Sequence, residues 1–362
     1  MGRVDPAAPA AGDPNAVEFV RPAFLPEASL SRAEMKSLQR EIAADAVFTD
    51  DFAFDPTTIS ATTDQGSATQ QQLDDTAPEP GTDNDAPLVA GVDQAFLDDE
   101  AISAIVVLRG NEVVERTHAV TDLSIPYIPG LLAFREGGPI VAALETLDCE
   151  PDLLCIDGSG RIHYRQAGLA THIGVGFDVP SVGIAKNLLC GSPRESVDGR
   201  PSGWRTPIAA DDSIDCDEGT SIGYAYQSRQ YDSPNRHINP LYVSSGHRVA
   251  ADTAVDLVAA LCDGYKLPEP TRLADSYADE IKHECPNRAG GCVATGWVAA
   301  RKAAALTPLT ATLQCATEDG THHRLFIRDR AGDRAGVRRG GLDGVCNRPR
   351  PRRHRAAGRC RL

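Results

Sequence analysis

Short apolar segments, which begin abruptly after Pro87, constrain the fold of this chain more than any other feature of its sequence. Runs of four to eight residues rich in Val, Ile and Leu are typical of buried strands and are too short for most helices. The residues Arg109-Gly110-Asn111-Glu112 separate two of these runs and have the composition of a hairpin turn. We therefore predict strands at residues 88–93, 101–108, 113–120, 151–156, 179–185 and 241–244.

Helices are predicted between the later strands. One ends at Leu147, and two more lie at 168–174 and 252–262. Ser31 and Glu34 predict a capping box at the start of an additional, N-terminal helix. Three antiparallel strands followed by alternating strands and helices predict an α/β fold with a sheet of mixed direction and flanking helices.

The net charge of −15 is the sum of an acidic N-terminal part and a basic C-terminal part of the chain. Residues 301–362 carry 15 Lys and Arg against 5 Asp and Glu, whereas residues 1–300 carry 21 against 46. An acidic body repels phosphate, which by itself argues against nucleic-acid binding. The scarcity of Lys and abundance of Asp suit a high-salt cytosol, where screening over a few Å weakens that objection. The basic end is interpreted either as a nucleic-acid arm or as a disordered or frame-shifted extension, and the second interpretation is favoured.

The compartment is predicted from what the sequence does not contain. No run of about 18 apolar residues is present, so no membrane span is expected. The N-terminus has no basic segment followed by an apolar one, which argues against a secretory signal. The ten cysteines form no C-x-x-C pair, which favours free thiols. We therefore expect a cytoplasmic protein.

Three acidic residues, Asp93, Glu136 and Asp157, stand at or near the ends of apolar segments. Carboxylates gathered at strand ends are the usual ligands of Mg²⁺, a hard cation that prefers oxygen. One or two such ions can activate a water and stabilise the leaving oxygen of a phosphodiester. A single Asp after a strand more often caps a turn, but three together favour a metal site.

Lys186, His163 and His247 lie in similar positions near predicted strands and glycine-containing loops. A lysine at the end of a strand can hold a scissile phosphate, and the alternative is an ordinary surface lysine. A loop histidine can act as a general base, a proton donor or a neighbour of a metal, and the alternative is a histidine without a catalytic role.

Tyr127 lies between Pro126 and Pro129 on a loop that these prolines make rigid. An aromatic side chain that fills a gap in a base stack would need such rigidity. The alternative is a surface tyrosine flanked by prolines.

Together, these motifs resemble the endonuclease V (deoxyinosine 3′-endonuclease) family. The matching blocks are LVAGVDQAF (88–96), IPYIPGLLAFREGGPIVAALE (125–145), PDLLCIDGSGRIHYRQAGLATHIGV (151–175), PSVGIAKNLLCG (180–191), NPLYVSSGHRVAADTAVDLV (239–258) and GYKLPEPTRLAD (264–275). The resemblance covers roughly residues 29–282, and the segment 62–86, with one Leu and no aromatic residue, interrupts it as a linker or insertion.

The resemblance implies a ribonuclease H-like fold and a DNA repair endonuclease. It implies that the enzyme recognises deoxyinosine (hypoxanthine) and uses Mg²⁺, or Mn²⁺ as a substitute, to cleave the second phosphodiester bond 3′ to the lesion. It also implies roles for individual residues: metal ligands Asp93, Asp157 and Glu136; Lys186 and His247 at the scissile phosphate with His163 nearby; a DNA-binding wedge of Pro126, Tyr127, Ile128 and Pro129; and a lesion pocket of Gly130, Leu132, Gly158 and Gly183.

The expected partner is DNA that contains deoxyinosine, with no membrane and no protein partner. Two alternatives stay open: a ribonuclease H-like nuclease that acts mainly on inosine-containing RNA, and a catalytically silent nucleic-acid-binding protein. The predicted segments are a disordered lead (1–28), the N-terminal helix segment of the catalytic domain (29–61), an acidic low-complexity linker (62–86), the catalytic domain (87–282) and a basic, disordered tail (283–362).

Overall fold

Nine strands of the described chain form one mixed sheet around three parallel central strands. The order across the sheet is β3-β2-β1-β4-β5-β9-β8-β7-β6; β1, β4 and β5 are parallel, and the other neighbours are antiparallel. The bounds are β1 Leu88–Leu97, β2 Glu100–Arg109, β3 Glu112–Asp122, β4 Leu153–Asp157, β5 Ser181–Ala185, β6 Ser192–Pro193, β7 Arg205–Ala209, β8 Ser221–Tyr226 and β9 Leu241–His247. The predicted mixed α/β fold is confirmed.

In the described part of the chain, five α-helices cover the two faces of this sheet: α1 Arg32–Asp45, α2 Leu132–Leu144, α3 Leu169–Phe177, α4 Ala251–Ala260 and α5 Glu269–Glu284. One face of the central strands, which includes Val92 and Ile156, packs against α1, α2 and α3. The opposite face packs against α4 through Leu153 and Val182 and against α5 through β1 and β2. No helix among the described residues is both long and apolar enough to cross a membrane.

The structure, a computed structural model, describes residues 17–61, 86–97, 99–233 and 235–284. The predicted linker therefore lies outside the described residues except for residue 86, and so does the predicted tail beyond residue 284.

Residues 17–28 correct the prediction of a disordered lead over 1–28, of which residues 1–16 lie outside the described chain. Val17, Phe19 and Phe24 are buried in the same core as α3. The ring of Phe19 meets that of Phe177 edge-on at 5.1 Å between centroids. The prediction was wrong here because scattered apolar residues carry no periodicity, although Val17, Phe19 and Phe24 are buried against the body of the domain.

Two local predictions are confirmed. Arg109 pairs with Glu112 across the hairpin turn between β2 and β3, and Gly110 has a φ of +60°. At the start of α1, the Glu34 N–H donates to Ser31 Oγ at 3.3 Å and the Ser31 N–H donates to Glu34 Oε2 at 2.8 Å. Both features depend on neighbours in sequence, which is why the sequence predicts them well.

Strands β6, β7 and β8 and helix α5 were missed by the sequence analysis. The three strands are two to six residues long and are interrupted by Pro207 and Gly223. The buried face of α5 consists mainly of small residues such as Ala274 and Ala278, so its apolar periodicity is weak. That face packs closely on β1, where Gly91 lies directly beneath Pro270.

We expect Gly91→Ala to destabilise the protein because a Cβ at residue 91 would overlap the carbonyl group of Pro270 and lie 2.6 Å from Thr271 N. Overpacking of this kind costs about 1–3 kcal/mol of unfolding free energy. Gly138→Ala is the control, since outside its chain neighbours a Cβ there has nothing within 4 Å, although Pro139 next to it keeps a helical Ala from adding its usual stability. Urea denaturation measures both variants, and equal midpoints would contradict the close packing of α5 on β1.

Candidate active site

The parallel pairing of β1 with β4 brings two predicted acids side by side, Asp157 at the end of β4 and Asp93 within β1, which continues to Leu97. Gly91 pairs with Cys155 and Val92 with Ile156, so Asp93 lies beside Asp157. Asp157 pairs in turn with Ile184 of β5, and Lys186 follows that strand. Because side chains alternate along each strand, Asp93 and Asp157 project from the same face of the sheet.

A cleft of about 530 Å³ opens above these strand ends. Nine of the residues predicted from the sequence line it: Asp93, Tyr127, Gly130, Leu132, Glu136, Asp157, Gly158, His163 and Lys186. Helix α2 supplies Leu132 and Glu136, so one wall of the cleft comes from the helical layer and the floor comes from the sheet.

Asp93 is the most strongly perturbed acid of the cleft. Its side chain is buried, with a residue exposure of 7%. Oδ1 accepts the Gln94 N–H at 2.7 Å, whereas Oδ2 is buried without a hydrogen-bond partner. Burial and then the nearby charge of Asp157 raise the pKa of Asp93 to about 8, although Lys186 acts in the opposite direction. The carboxylate is therefore costly to ionise unless a further cation approaches it.

Lys186 compensates the neighbouring carboxylates. Its Nζ donates to Asp157 Oδ2 at 2.7 Å. Burial acts to lower the pKa of Lys186, but the charges of Asp157, Asp93 and Asp275 together raise it above the usual value for lysine. The side chain still has 44% of its surface exposed, so its ammonium group is accessible from the cleft.

Glu136 contributes a third carboxyl from α2. Burial raises its pKa to about 7, and the guanidinium of Arg135 partly offsets this effect. The Arg135 Nη1 lies 3.4 Å from Glu136 Oε1. The Asp157 charge also raises the pKa of Glu136, which shows that the two carboxyls interact across the cleft.

Asp275, on α5, is a cleft residue that the sequence analysis missed. Its charge acts on both Asp93 and Lys186, raising the pKa of each. The available signal was the spacing of the small residues Ala274 and Ala278, which makes residues 269–284 a one-sided helix. Asp275 directly follows the first of them, at the margin of the buried face.

His163 lines the cleft, but both of its ring nitrogens are engaged. Nδ1 accepts the Arg165 N–H at 3.2 Å, so Nε2 carries the proton and donates to Gly130 O at 3.1 Å. Burial and the charge of Arg165 lower the pKa of His163 to about 4. The ring therefore supports the cleft wall in its neutral form with both nitrogens engaged, and its catalytic role stays a prediction.

His247 is not in the cleft, and its predicted role at the scissile phosphate is wrong. Strand β9 runs antiparallel to β5, so His247 pairs with Ser181 at the opposite end of β5 from Lys186. Its Nδ1 accepts the Val47 N–H, and its Nε2 lies 3.0 Å from Asp178 Oδ1. The side chain joins the N-terminal segment to the end of the central strands that lies away from Lys186.

Gly183 does not line the cleft but supports its floor. A Cβ at this position would lie 2.6 Å from Gly158 O and 2.8 Å from the carbonyl carbon of Ser159. The predicted pocket role is corrected accordingly: Gly183 allows the loop after Asp157 to pack directly against β5.

The loop of residues 126–129 carries an exposed aromatic ring at the rim of the cleft. Tyr127 has 63% of its surface exposed. Ile128 turns inward and packs near Met35 and Phe134, while Pro126 and Pro129 are exposed. The loop is thus fixed from below and presents Tyr127 outward, and its contact with DNA stays a prediction.

Comparison with known proteins identifies the family. The Endonuclease V family model matches residues 69–276. The chain belongs to the endonuclease V family. It is 61% identical over 268 residues to an endonuclease V of Haloarcula marismortui, an alignment that covers 74% of this chain and 98% of the relative.

Solved endonuclease V structures share the fold. The enzyme from Streptomyces avermitilis superposes with a TM-score of 0.55 and 30% identity, covering 75% of this chain and 100% of that one. An endonuclease V of Ciona intestinalis, solved with a DNA that contains an inosine followed by a ribo-adenosine, has a TM-score of 0.50 and 23% identity and covers 70% of this chain and 98% of its own. As a member of this family, the protein is a nuclease that acts on nucleic-acid phosphodiester bonds.

The cleft fits a hard divalent cation by its donor chemistry. Asp93 Oδ2 is a buried acceptor without a partner, and the carboxyls of Asp157, Glu136 and Asp275 face the same space. Within the described residues, no three His, Cys, Asp or Glu side chains are placed so that they could hold a metal ion without moving. The Lys186 ammonium holds Asp157 instead, so cation binding would have to redistribute that pairing.

We expect the metal-free protein to lose stability as pH rises. An unfolded Asp ionises near pH 3.8, whereas Asp93 in the folded protein keeps its proton to about pH 8. Between these values the folded state binds more protons, so the free energy of unfolding falls with increasing pH, by an amount on the order of 2–5 kcal/mol. Chemical denaturation between about pH 7 and pH 8.5, in the presence of a chelator, measures this slope, because His163 and His172, whose pKa values burial lowers to about 4, contribute with the opposite sign only at lower pH.

Asp93→Asn removes one titrating group and should reduce that slope, with Glu136 still contributing below about pH 7, whereas Asp279→Asn, an exposed acid on the same helix as Asp275, should leave it unchanged. Added Mg²⁺ should also flatten the slope of the unsubstituted protein because it binds the ionised carboxylates. A slope that is identical in the protein and in Asp93→Asn would contradict the raised pKa.

Proposed function

We propose that this protein is a DNA repair endonuclease that recognises deoxyinosine and cleaves the second phosphodiester bond 3′ to it with Mg²⁺. The observation that carries the proposal is the cleft in which Asp93, Glu136 and Asp157 lie beside Lys186 and below the exposed Tyr127. Acidic ligands, a cationic phosphate contact and an aromatic ring at the rim are the three components that such a nuclease needs.

The carboxylates would hold the metal. Asp93 and Asp157 on adjacent strands, with Glu136 and Asp275 on the flanking helices, present only oxygen donors, as Mg²⁺ prefers; Mn²⁺ would bind the same set. A bound ion supplies a charge that polarises the phosphate and activates a water as nucleophile. The unpaired Asp93 Oδ2 is the donor most in need of this partner.

Lys186 would bind the scissile phosphate. Its ammonium is exposed to the cleft and already lies 2.7 Å from Asp157, so a phosphate oxygen held near Asp157 would be within its reach. The carboxylates keep Lys186 protonated by raising its pKa, which gives the group a fixed positive charge to set against the charge of the phosphate in the transition state.

The opposite part of the cleft would receive the base. Gly130 and Gly158 line it without side chains, which leaves room beside Leu132. Hypoxanthine carries a carbonyl where adenine carries an amine, so backbone N–H and C=O groups can distinguish the two bases. Tyr127 would occupy the gap left in the helix, and a mismatched base costs less to extrude. The Ciona intestinalis enzyme, which has the same fold, was solved with inosine-containing DNA, and this supports the substrate proposed here.

The decisive experiment is a nicking assay on a duplex that contains one deoxyinosine, with the cut position mapped on a sequencing gel. We expect Mg²⁺-dependent incision at the second bond 3′ to the lesion. Asp93→Ala and Asp157→Ala should each lower nicking by at least about 10²-fold, since loss of even an outer metal partner costs 10–100-fold. Asp279→Ala, outside the cleft, is the matched control.

Circular dichroism would establish that the inactive variants are folded. Full nicking by Asp93→Ala, or equal nicking with and without divalent cations, would overturn the metal-dependent mechanism. A matched inosine RNA tests the alternative substrate, and a preference for that RNA over the DNA would replace DNA in the proposal.

Tyr127→Ala should weaken binding of the inosine duplex roughly tenfold or more because base–aromatic stacking contributes about 1–3 kcal/mol. Tyr127→Phe retains the ring and should bind nearly as well as the unsubstituted protein. Fluorescence anisotropy, with Ca²⁺ in place of Mg²⁺ to prevent cleavage, measures both affinities. Unchanged affinity in Tyr127→Ala would exclude this ring from lesion binding.

A further inference from the structure

The carbonyl oxygen of Gly130 accepts three side-chain hydrogen bonds. Arg165 Nη2 donates at 2.8 Å, Gln39 Nε2 at 3.1 Å and His163 Nε2 at 3.1 Å. Gln39, Arg165 and His163 are buried, with exposures of 0%, 9% and 3%. Gly130 has a φ of +74° and directly follows the loop 126–129. The orientation of the peptide at the base of the Tyr127 loop is therefore fixed by buried donors.

The amide of Gln39 is fully used in this network. Nε2 donates to Ala167 O at 3.2 Å as well as to Gly130 O, and Oε1 accepts from Arg165 Nε at 2.7 Å. Only an amide can satisfy all three neighbours, because a carboxylate would place an oxygen against two carbonyl groups.

Arg165 depends on the same arrangement. Among the described residues its guanidinium forms no ion pair within 4.0 Å, and its hydrogen bonds go to Gln39 Oε1 and Gly130 O. A buried guanidinium that loses such partners is costly. Displacement of Gly130 would therefore remove a hydrogen-bond partner from this buried charge. The conformations of the loop and of Arg165 consequently depend on each other.

Gln39 comes from α1, which lies before the region that the family model matches, residues 69–276. It nevertheless lines the cleft. The N-terminal segment thus reaches the candidate base pocket through one uncharged side chain, from a helix whose outer face is solvent-exposed.

We propose that Gln39 and Arg165 are positioning residues: they hold Gly130 and thereby fix the Tyr127 loop over the cleft in the conformation that engages the lesion. Gln39 acts through Gly130 and touches no reacting atom. The inference deepens the proposed function and depends on it only where nicking is measured.

Hydrogen–deuterium exchange in the full-length protein without substrate is the first test. Gln39→Leu should accelerate exchange of residues 125–132 at least about tenfold, since it removes two buried hydrogen bonds to carbonyl groups. Gln227→Leu is the matched control: Gln227 is 1% exposed and donates to Arg229 O and Ile238 O, away from this loop. Unchanged protection of 125–132 in Gln39→Leu would overturn the proposal.

The second test is a double-mutant cycle on nicking of the inosine duplex. Gln39→Leu should raise KM several-fold with a smaller effect on kcat, and Gln227→Leu should leave both unchanged. If Gln39 acts through the loop, adding Tyr127→Ala to Gln39→Leu should change KM little further. Additive effects of the two substitutions would show that Gln39 only stabilises the fold and would overturn the proposal.

Arg165→Lys is the second variant, should Gln39→Leu not fold. A single ammonium keeps the charge but cannot bridge Gln39 Oε1 and Gly130 O as the guanidinium fork does, so the same changes in exchange and KM are expected. If the unsubstituted protein does not nick inosine DNA at all, the proposed function fails, whereas the exchange measurement still decides whether Gln39 and Arg165 hold the loop.

Discussion

The repulsion between two carboxylates, Asp93 and Asp157, is the constraint on which the rest of the cleft depends. The parallel pairing of β1 with β4 runs to Val92 and Ile156 and leaves these groups side by side, with Asp93 buried and Asp157 partly buried. Burial and the charge of Asp157 both oppose ionisation of Asp93. Lys186 compensates Asp157, but Asp93 Oδ2 has no partner. The surrounding elements therefore enclose more acidic groups than the nearby positive charge can compensate. A divalent cation would supply the missing positive charge.

The flanking helices bring further acidic groups to the cleft. Helix α2 brings Glu136 and helix α5 brings Asp275 to the same space. Helix α5 can approach because Gly91 offers no side chain against Pro270. A small residue in the middle of β1 therefore determines, through packing alone, that an acid 184 positions later in the chain meets Asp93. The cleft attracts a cation although the whole body of the protein is acidic. Binding of nucleic acid therefore depends on a few groups positioned in the cleft and not on the net charge of the protein.

The N-terminal segment belongs to this functional unit. Phe19 and Phe24 are buried against α3, and Gln39 joins the network at Gly130. His247 ties the chain after α1 to the far end of the sheet. Residues that precede β1 thus contact the domain both at the cleft and at the opposite end of the central strands, and Gln39 completes the cleft wall.

The sequence by itself determined the features that depend on near neighbours: the strands β1 to β5 and β9, the hairpin turn, the capping box of α1, and the placement of Asp157 at the end of its strand, although β1 continues past Asp93 to Leu97. Its motifs also brought Glu136, Lys186 and Tyr127 correctly to one cleft. The tertiary structure alone decided which remote groups join them. The antiparallel direction of β9 carries His247 away from Lys186. The packing of α5 brings in Asp275, and buried hydrogen bonds occupy both nitrogens of His163. Strand direction and helix packing are set by the burial of the whole core, which no local spacing of residues encodes.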